Sequence, residues 1–157
     1  MAVATRRKKL AKTNPPGHFI ATLEIEPVEM VGKVESAADV IGVVKKGLKV
    51  ESLDRLQSEL DISSAQLRET VKISASTLRR RRASGRLNPE ESERVYRLGK
   101  LFLLASKVLG TDELASQWFK SSKKAFGGAT PLEYADTEIG KQEIEKLLYR
   151  IAYGVFA

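Results

Sequence analysis

The segment SSAQLRETVKISASTLRRRRASGRL (63–87) carries the most informative pattern in this chain. Its opening, Ser63-Ser-Ala-Gln66, has the form of a capping box and predicts the start of a short helix. Ser74 is placed to cap a second helix that ends near Gly85. The apolar residues expected between the two helices are Leu67, Val71, Ile73 and Leu78. This arrangement predicts a helix-turn-helix over residues 63–83.

Residues 72–86 carry six basic side chains and no acidic one. In a helix-turn-helix the second helix enters the major groove, which is ~12 Å wide and accepts a helix. Arginine suits this position because it can bind guanine with two hydrogen bonds and can neutralise phosphate. The residues expected to face the bases are Ser74, Ala75, Ser76, Thr77 and Arg80. The residues expected to contact phosphate are Arg79, Arg81, Arg82 and Arg86.

Two residues depart from the usual helix-turn-helix pattern. Arg68 stands where the first helix commonly has a small residue, and Lys72 stands where the turn commonly has glycine. A left-handed conformation would cost lysine roughly 1 kcal/mol, so the turn could be non-standard. An arginine run can also be a solvated face or a surface for an acidic partner.

Helix start signals recur along the rest of the chain, and no stretch forms a convincing strand. Asn88-Pro89-Glu90-Glu91 combines an N-cap, a proline at the first helical position and acids in the first turn. The helix predicted over 89–109 is apolar around so much of its circumference that it is central to the core or shared with another subunit. Other helix starts are expected at Ser36, near residue 51, at Thr111, at Thr130 and near Thr137. The predicted fold class is all-α.

Composition excludes several kinds of chemistry. The chain has no cysteine, and its one histidine, His18, lies in a segment with little to bury. The stretch Gly127-Gly128-Ala129-Thr130-Pro131 resembles a phosphate cradle but lacks the Lys-Ser/Thr that would follow it. We therefore expect no catalytic residue, no metal and no cofactor. No apolar run reaches the roughly 20 residues of a membrane span, and no secretory signal is present, which predicts a soluble, cytoplasmic protein.

The net charge of +7 is concentrated in two places. One is the arginine-rich segment, and the other is residues 1–18, which carry five basic and no acidic residues. The predicted organisation is a basic flexible tail (1–21), a helical region with the helix-turn-helix (22–87), and a C-terminal helical domain (88–157). Within the second region, 22–34 is expected to be coil or an edge segment that orders on a partner.

The chain ends YGVFA (153–157), which is unusually apolar for a terminus. Such an end either docks back onto the core of its own chain or inserts into a partner.

Three further stretches carry a family resemblance. They are RASGRLNPEESERVYRLGKLFLLASKVLG (82–110) with WF (118–119), FGGATPLEYADTEIGKQEIEKLL (126–148), and RIAYGVFA (150–157). Together they closely resemble the Xre/MbcA/ParS-type antitoxins over roughly residues 36–157. The resemblance implies an Xre-like helix-turn-helix followed by a small helical toxin-binding domain.

The resemblance also implies partners. The expected toxin is a RES-domain protein that depletes NAD⁺, blocked at its active-site entrance, and the complex is expected to bind its own promoter as an autorepressor. The residues expected to contact the toxin are Arg150, Tyr153, Gly154, Val155, Phe156 and Ala157. Because helix-turn-helix proteins commonly bind paired half-sites, we expect a homodimer. The alternative is a stand-alone helix-turn-helix transcriptional regulator whose C-terminal helices only dimerise.

Overall fold

The computed structural model describes residues 36–154, and the regular structure in this range is helical. The helices are α1 (Ala37–Lys46), α2 (Val50–Leu60), α3 (Ser64–Val71), α4 (Ala75–Ser84), α5 (Pro89–Leu109), α6 (Asp112–Lys120), α7 (Pro131–Tyr134) and α8 (Glu138–Ala152), with a 3₁₀ turn at Lys124–Phe126. One isolated bridge joins Lys49 to Arg86. The all-α prediction is confirmed.

Helices α3 and α4 form the predicted helix-turn-helix. Ser63 and Gln66 make the reciprocal bonds of a capping box at the start of α3. Ser74 caps α4 by accepting the backbone N–H of Thr77 at 3.1 Å. The four apolar residues expected between these helices are all at most 5% exposed. Local capping and this shared apolar contact therefore define the motif.

The turn between α3 and α4 is built on a left-handed residue. Lys72 has φ 55° and ψ 49°, the conformation in which glycine would be the ordinary residue. The preceding carbonyl, that of Val71, accepts a hydrogen bond from Nε of Arg94 at 2.8 Å. Lys72 therefore adopts the left-handed conformation, which costs a lysine roughly 1 kcal/mol. The hydrogen bond from Arg94 of α5 helps to hold the turn in place.

Helix α5 is the centre of the molecule. Its 21 residues span about 31 Å, and it packs against α1, α2 and α3 as well as α6 and α8. Val95, Leu98, Phe102 and Ala105 are at most 1% exposed along it. Of the two explanations for its apolar circumference, a central place in the core of this chain is the one that the structure shows.

The C-terminal helices pack on the second half of α5. Phe119 of α6 and Ile144 and Leu148 of α8 are completely buried, and Phe119 lies against Phe102 with ring centroids 6.2 Å apart. At the start of α8, Gly140 passes so close to the end of α7 that an added Cβ would lie 1.7 Å from the carbonyl oxygen of Tyr134. This close approach sets the angle between α7 and α8.

Several predicted segments lie outside the described residues. They are the basic tail (1–21), the segment 22–34 and the chain end 155–157. Among the helices from residue 36 to residue 154, none has both the length and the apolar character needed to cross a membrane.

Candidate functional site: the basic recognition helix and the chain end

The N-terminus of α4 presents a cluster of hydroxyl groups. Ser74 and Ser76 are exposed and Thr77 is half-buried. The Ser74 hydroxyl donates to Oγ1 of Thr77 at 2.9 Å and lies 3.2 Å from Oγ of Ser76. These small polar side chains lie at the N-terminus of α4. In helix-turn-helix proteins, the residues at the N-terminus of the second helix contact the base edges.

Arg79 and Arg80 are the exposed cations of α4 that remain available to a ligand. Neither has an ion-pair or hydrogen-bond partner within residues 36–154. A guanidinium is always charged near neutral pH and offers donors in a planar fork. The two side chains can therefore bind phosphate or a guanine edge without first breaking an ion pair or hydrogen bond to another residue of 36–154.

Arg81 has a different environment from its two predecessors. Its Nε and one terminal nitrogen donate to the two carboxylate oxygens of Glu91 at 2.8 and 3.1 Å. The Arg81 side chain is 22% exposed and the Glu91 side chain 5%. Burial by itself would raise the pKa of Glu91, but the hydrogen bonds from Arg81 and from the Asn88 backbone, with the charges of Arg81 and Arg94, hold that pKa below its usual value.

The last two arginines of the segment also have internal partners. Arg82 forms an ion pair of 2.7 Å with Asp54 of α2, and both side chains are about half exposed. Arg86 donates from its guanidinium to the carbonyl oxygen of Gly47 at 2.8 Å. The basic segment therefore divides into two available arginines, one exposed ion pair and two internally bonded arginines. The DNA contacts predicted for these residues remain predictions.

The end of α8 presents an aromatic surface. Tyr153 is 47% exposed, and its ring is stacked on that of Tyr149 with centroids 6.3 Å apart. Arg150 is exposed, and Gly154 leaves the helix with φ 64°, a left-handed conformation. The structure thus places Arg150, Tyr153 and Gly154 together at one end of the C-terminal domain, while 155–157 lie outside the described residues.

A groove of about 260 Å³ runs between α5 and α8. Leu101, Leu104 and Tyr149 form its apolar lining, and Lys141 lies beside them. Burial lowers the pKa of Lys141. Within residues 36–154, no three His, Cys, Asp or Glu side chains come together to hold a metal ion.

Sequence reasoning missed the acidic partners of the arginines. Glu91 was explained by its place in the first turn of a helix, and Asp54 carried no signal at all. Asp136, which pairs with Lys72 at 2.6 Å, was likewise explained only by a place in a helix first turn. The spacing of Glu91 after a run of arginines was the one available hint, but it does not say which of the four arginines turns inward.

Comparisons with known proteins match both halves of the described chain. Residues 39–100 match the antitoxin Xre-like helix-turn-helix domain, and residues 104–154 match the antitoxin Xre/MbcA/ParS C-terminal toxin-binding domain. A protein named Prs ADP-ribosylating antitoxin from Sphingobium sp. (strain YBL2) is 29% identical over 96% of this chain and 95% of its own length. Antitoxin Xre of Yersinia enterocolitica is 34% identical over 73% of this chain and 78% of its own length. This chain therefore belongs to the Xre antitoxins of toxin-antitoxin systems, with an Xre-like helix-turn-helix and a C-terminal toxin-binding domain.

Proposed function

We propose that this antitoxin neutralises a RES-domain toxin that depletes NAD⁺, and that it represses its own promoter through α4. The C-terminal domain and the chain end would close the entrance to the toxin's active site. The observation that supports both activities is the placement of two exposed surfaces on one chain. Arg79 and Arg80 are available on α4, and Tyr153 is exposed at the far end of α8.

The proposal of an NAD⁺-consuming partner has two supports. The first is the resemblance of 126–148 and 150–157 to antitoxins of RES-domain toxins. The second is the name of the Sphingobium relative, which refers to ADP-ribosylation, a reaction that uses NAD⁺ as the donor of ADP-ribose. Operator DNA and a metabolic NAD⁺ pool would both be met in the cytoplasm, which is where we place the activity.

The toxin-binding half of the proposal is tested by co-expression with the product of the adjacent gene. The full chain should restore growth and the cellular NAD⁺ level. Removal of 155–157, which leaves every residue of α8 in place, should abolish neutralisation while the helical circular dichroism is kept. Full neutralisation by the shortened chain would exclude the chain end from the mechanism.

A matched pair of substitutions examines the exposed surface of the same domain. Tyr153→Ala should weaken toxin binding, because it removes an exposed aromatic ring next to the chain end. Ile139→Ala is the control, since Ile139 is 75% exposed at the opposite end of α8, about 21 Å along the helix axis. Equal losses for the two variants would place the toxin along the whole of α8 instead of at its end.

We propose that the chain binds DNA as a homodimer, because two recognition helices are needed to bind paired half-sites one helical turn apart. Light scattering after gel filtration should give twice the chain mass. A monomeric mass in the DNA complex would contradict the dimer. If no toxin gene lies beside this one and the chain still binds its upstream DNA, the stand-alone regulator becomes the better explanation.

We expect no catalytic activity of the antitoxin itself. The purified chain should leave NAD⁺ intact over the time in which the toxin consumes it, as measured by nicotinamide release.

A further inference from the structure

Helix α4 is held to the rest of the molecule by few buried side chains. Leu78 is the one residue of α4 that is fully buried. Because a single apolar anchor does not define the rotation of a helix about its own axis, a second contact on the same face is needed to fix it. Residues three and four apart share a face of a helix, so Arg81 and Arg82 are both placed to supply that contact. The Arg81–Glu91 pair is the more buried of the two, since its side chains are 22% and 5% exposed whereas those of Arg82 and Asp54 are about half exposed.

The partner of Arg81 is itself firmly held. Oε2 of Glu91 accepts the Asn88 backbone N–H at 2.8 Å, and Oδ1 of Asn88 accepts the Glu91 N–H at 2.7 Å. The same carboxylate therefore closes the capping box of α5 and receives both bonds of Arg81. Since two parallel hydrogen bonds between a guanidinium and a carboxylate define an orientation as well as a distance, this contact links the rotation of α4 to the start of α5.

The rotation decides which arginines face outward. Successive residues of a helix are 100° apart, so Arg79 and Arg80 lie about 100° and 200° from Leu78 around α4. They are exposed, in agreement with this geometry, whereas Arg81 returns to the inner face. An α4 released from Glu91 would be free to turn, and Arg79, Arg80 and the hydroxyl cluster would lose their common direction.

We propose that Arg81 is a positioning residue, which together with Glu91 sets the rotation of α4 so that Arg79 and Arg80 face the DNA. This inference rests on the proposed DNA binding by α4. It replaces the expectation that Arg81 contacts phosphate directly.

The direction in which Glu91→Gln changes the DNA affinity distinguishes a positioning role of Arg81 from a direct phosphate contact. Removing an acidic charge beside DNA ordinarily tightens binding, because repulsion of the phosphates is lost. Under the positioning role, Glu91→Gln weakens binding instead, by about tenfold, since it removes the charged partner of Arg81. Glu90→Gln is the matched control: Glu90 is the preceding residue, it is exposed, and its removal should leave binding unchanged or slightly tighter.

The salt dependence gives a second, independent measure. Binding is measured by fluorescence anisotropy at several salt concentrations, with a duplex from the region upstream of the gene and a random duplex of equal length. Each phosphate contact contributes about 0.9 to the slope of log K against log salt. Arg79→Ala should lower the slope by about that amount, whereas Arg81→Lys should weaken binding with the slope unchanged, because lysine keeps the charge but not the two parallel bonds.

Three results would overturn the positioning role. Two concern affinity: Glu91→Gln binds DNA more tightly than wild type, or Arg81→Lys binds nearly as well as wild type. The third is that Arg81→Ala lowers the slope of log K against log salt as much as Arg79→Ala does. If Glu91→Gln proves unfolded by circular dichroism, the Arg81→Lys and Arg81→Ala arms decide. A wild-type chain that binds neither duplex would overturn the proposed DNA binding and this inference together. This outcome can be distinguished from the other three, because each of those is measured relative to DNA binding by the wild-type chain.

Discussion

Lys72, the left-handed residue between α3 and α4, places its Nζ 2.6 Å from Oδ2 of Asp136 in the C-terminal domain. The two residues are 64 positions apart in the chain. The turn of the helix-turn-helix is therefore in direct contact with the C-terminal toxin-binding domain. Both side chains are partly exposed, so the ion pair by itself contributes between 0 and about 1 kcal/mol.

The first prediction concerns the backbone conformation at Lys72. Lys72→Gly should be more stable than Lys72→Ala by about 0.5–1 kcal/mol, because the left-handed conformation costs an L-residue ~1–2 kcal/mol and the greater chain entropy of glycine offsets part of it. Both variants lose the ion pair equally, and Asp136→Asn reports the loss of that pair alone. The free energies of unfolding come from urea denaturation. Equal stability of the glycine and alanine variants would show that the turn is not strained.

The second prediction concerns acid stability. The folded-state pKa of Glu91 lies below its ordinary value of 4.5, so the folded chain holds fewer protons at this site than the unfolded chain. The resulting stability is fully present above pH 4.5 and is lost as the pH falls through 4.5 towards the folded-state pKa. Glu91→Gln should therefore be less stable than wild type at neutral pH, with the difference shrinking below pH 4.5, because protonated glutamate resembles glutamine. A difference that stays constant from pH 6 to pH 3 would contradict this linkage.

The ionised carboxylates of Asp61 and Glu133 should also stabilise the fold above their ordinary pKa, as that of Glu91 does. The hydrogen bond and charge of Lys120 lower the pKa of Asp61, and hydrogen bonds from the backbone and side chain of Thr130 lower that of Glu133. We therefore expect these two carboxylates to contribute, together with Glu91, to a loss of stability in acid. Chemical denaturation across the pH range with Asp61→Asn and Glu133→Gln separates their contributions.

The third prediction compares two glycines within helices. Gly140→Ala should destabilise the chain by about 1–3 kcal/mol or more, because the new Cβ would overlap the carbonyl of Tyr134 and force α7 and α8 apart. Gly42→Ala in α1 is the matched control, since no atom lies within 4 Å of its added Cβ. The control should gain about 0.5–1 kcal/mol from the reduced backbone entropy of the unfolded chain. Thermal and urea unfolding measure both, and a neutral Gly140→Ala would mean that the two helices can separate at little cost.

The fourth prediction uses the ion pair between Arg82 and Asp54. Asp54→Asn releases Arg82 and removes a half-exposed negative charge next to α4, so binding to both specific and random DNA should become tighter by a similar factor. This is the opposite sign from that expected for Glu91→Gln. Anisotropy titrations at constant salt concentration test it. A loss of affinity would indicate that Asp54, like Glu91, holds its arginine in a required position.

The helices of this protein could be predicted because their start signals are local. Ser63, Ser74 and Asn88 each accept a hydrogen bond from a backbone N–H three residues further on, which is a contact that a few consecutive residues determine. The four apolar positions of the helix-turn-helix follow from the same short-range periodicity. Local sequence was therefore sufficient to predict the all-α class, the helix-turn-helix and the approximate bounds of the helices.

The contacts of the four consecutive arginines follow from the tertiary structure and not from their local sequence. They have identical side chains, yet Arg81 turns inward to Glu91, Arg82 pairs with Asp54, and Arg79 and Arg80 stay exposed. Their partners come from segments 10 and 28 residues away. Local composition can place charge on a helix, but packing of distant segments determines which charges meet an internal partner and which face solvent.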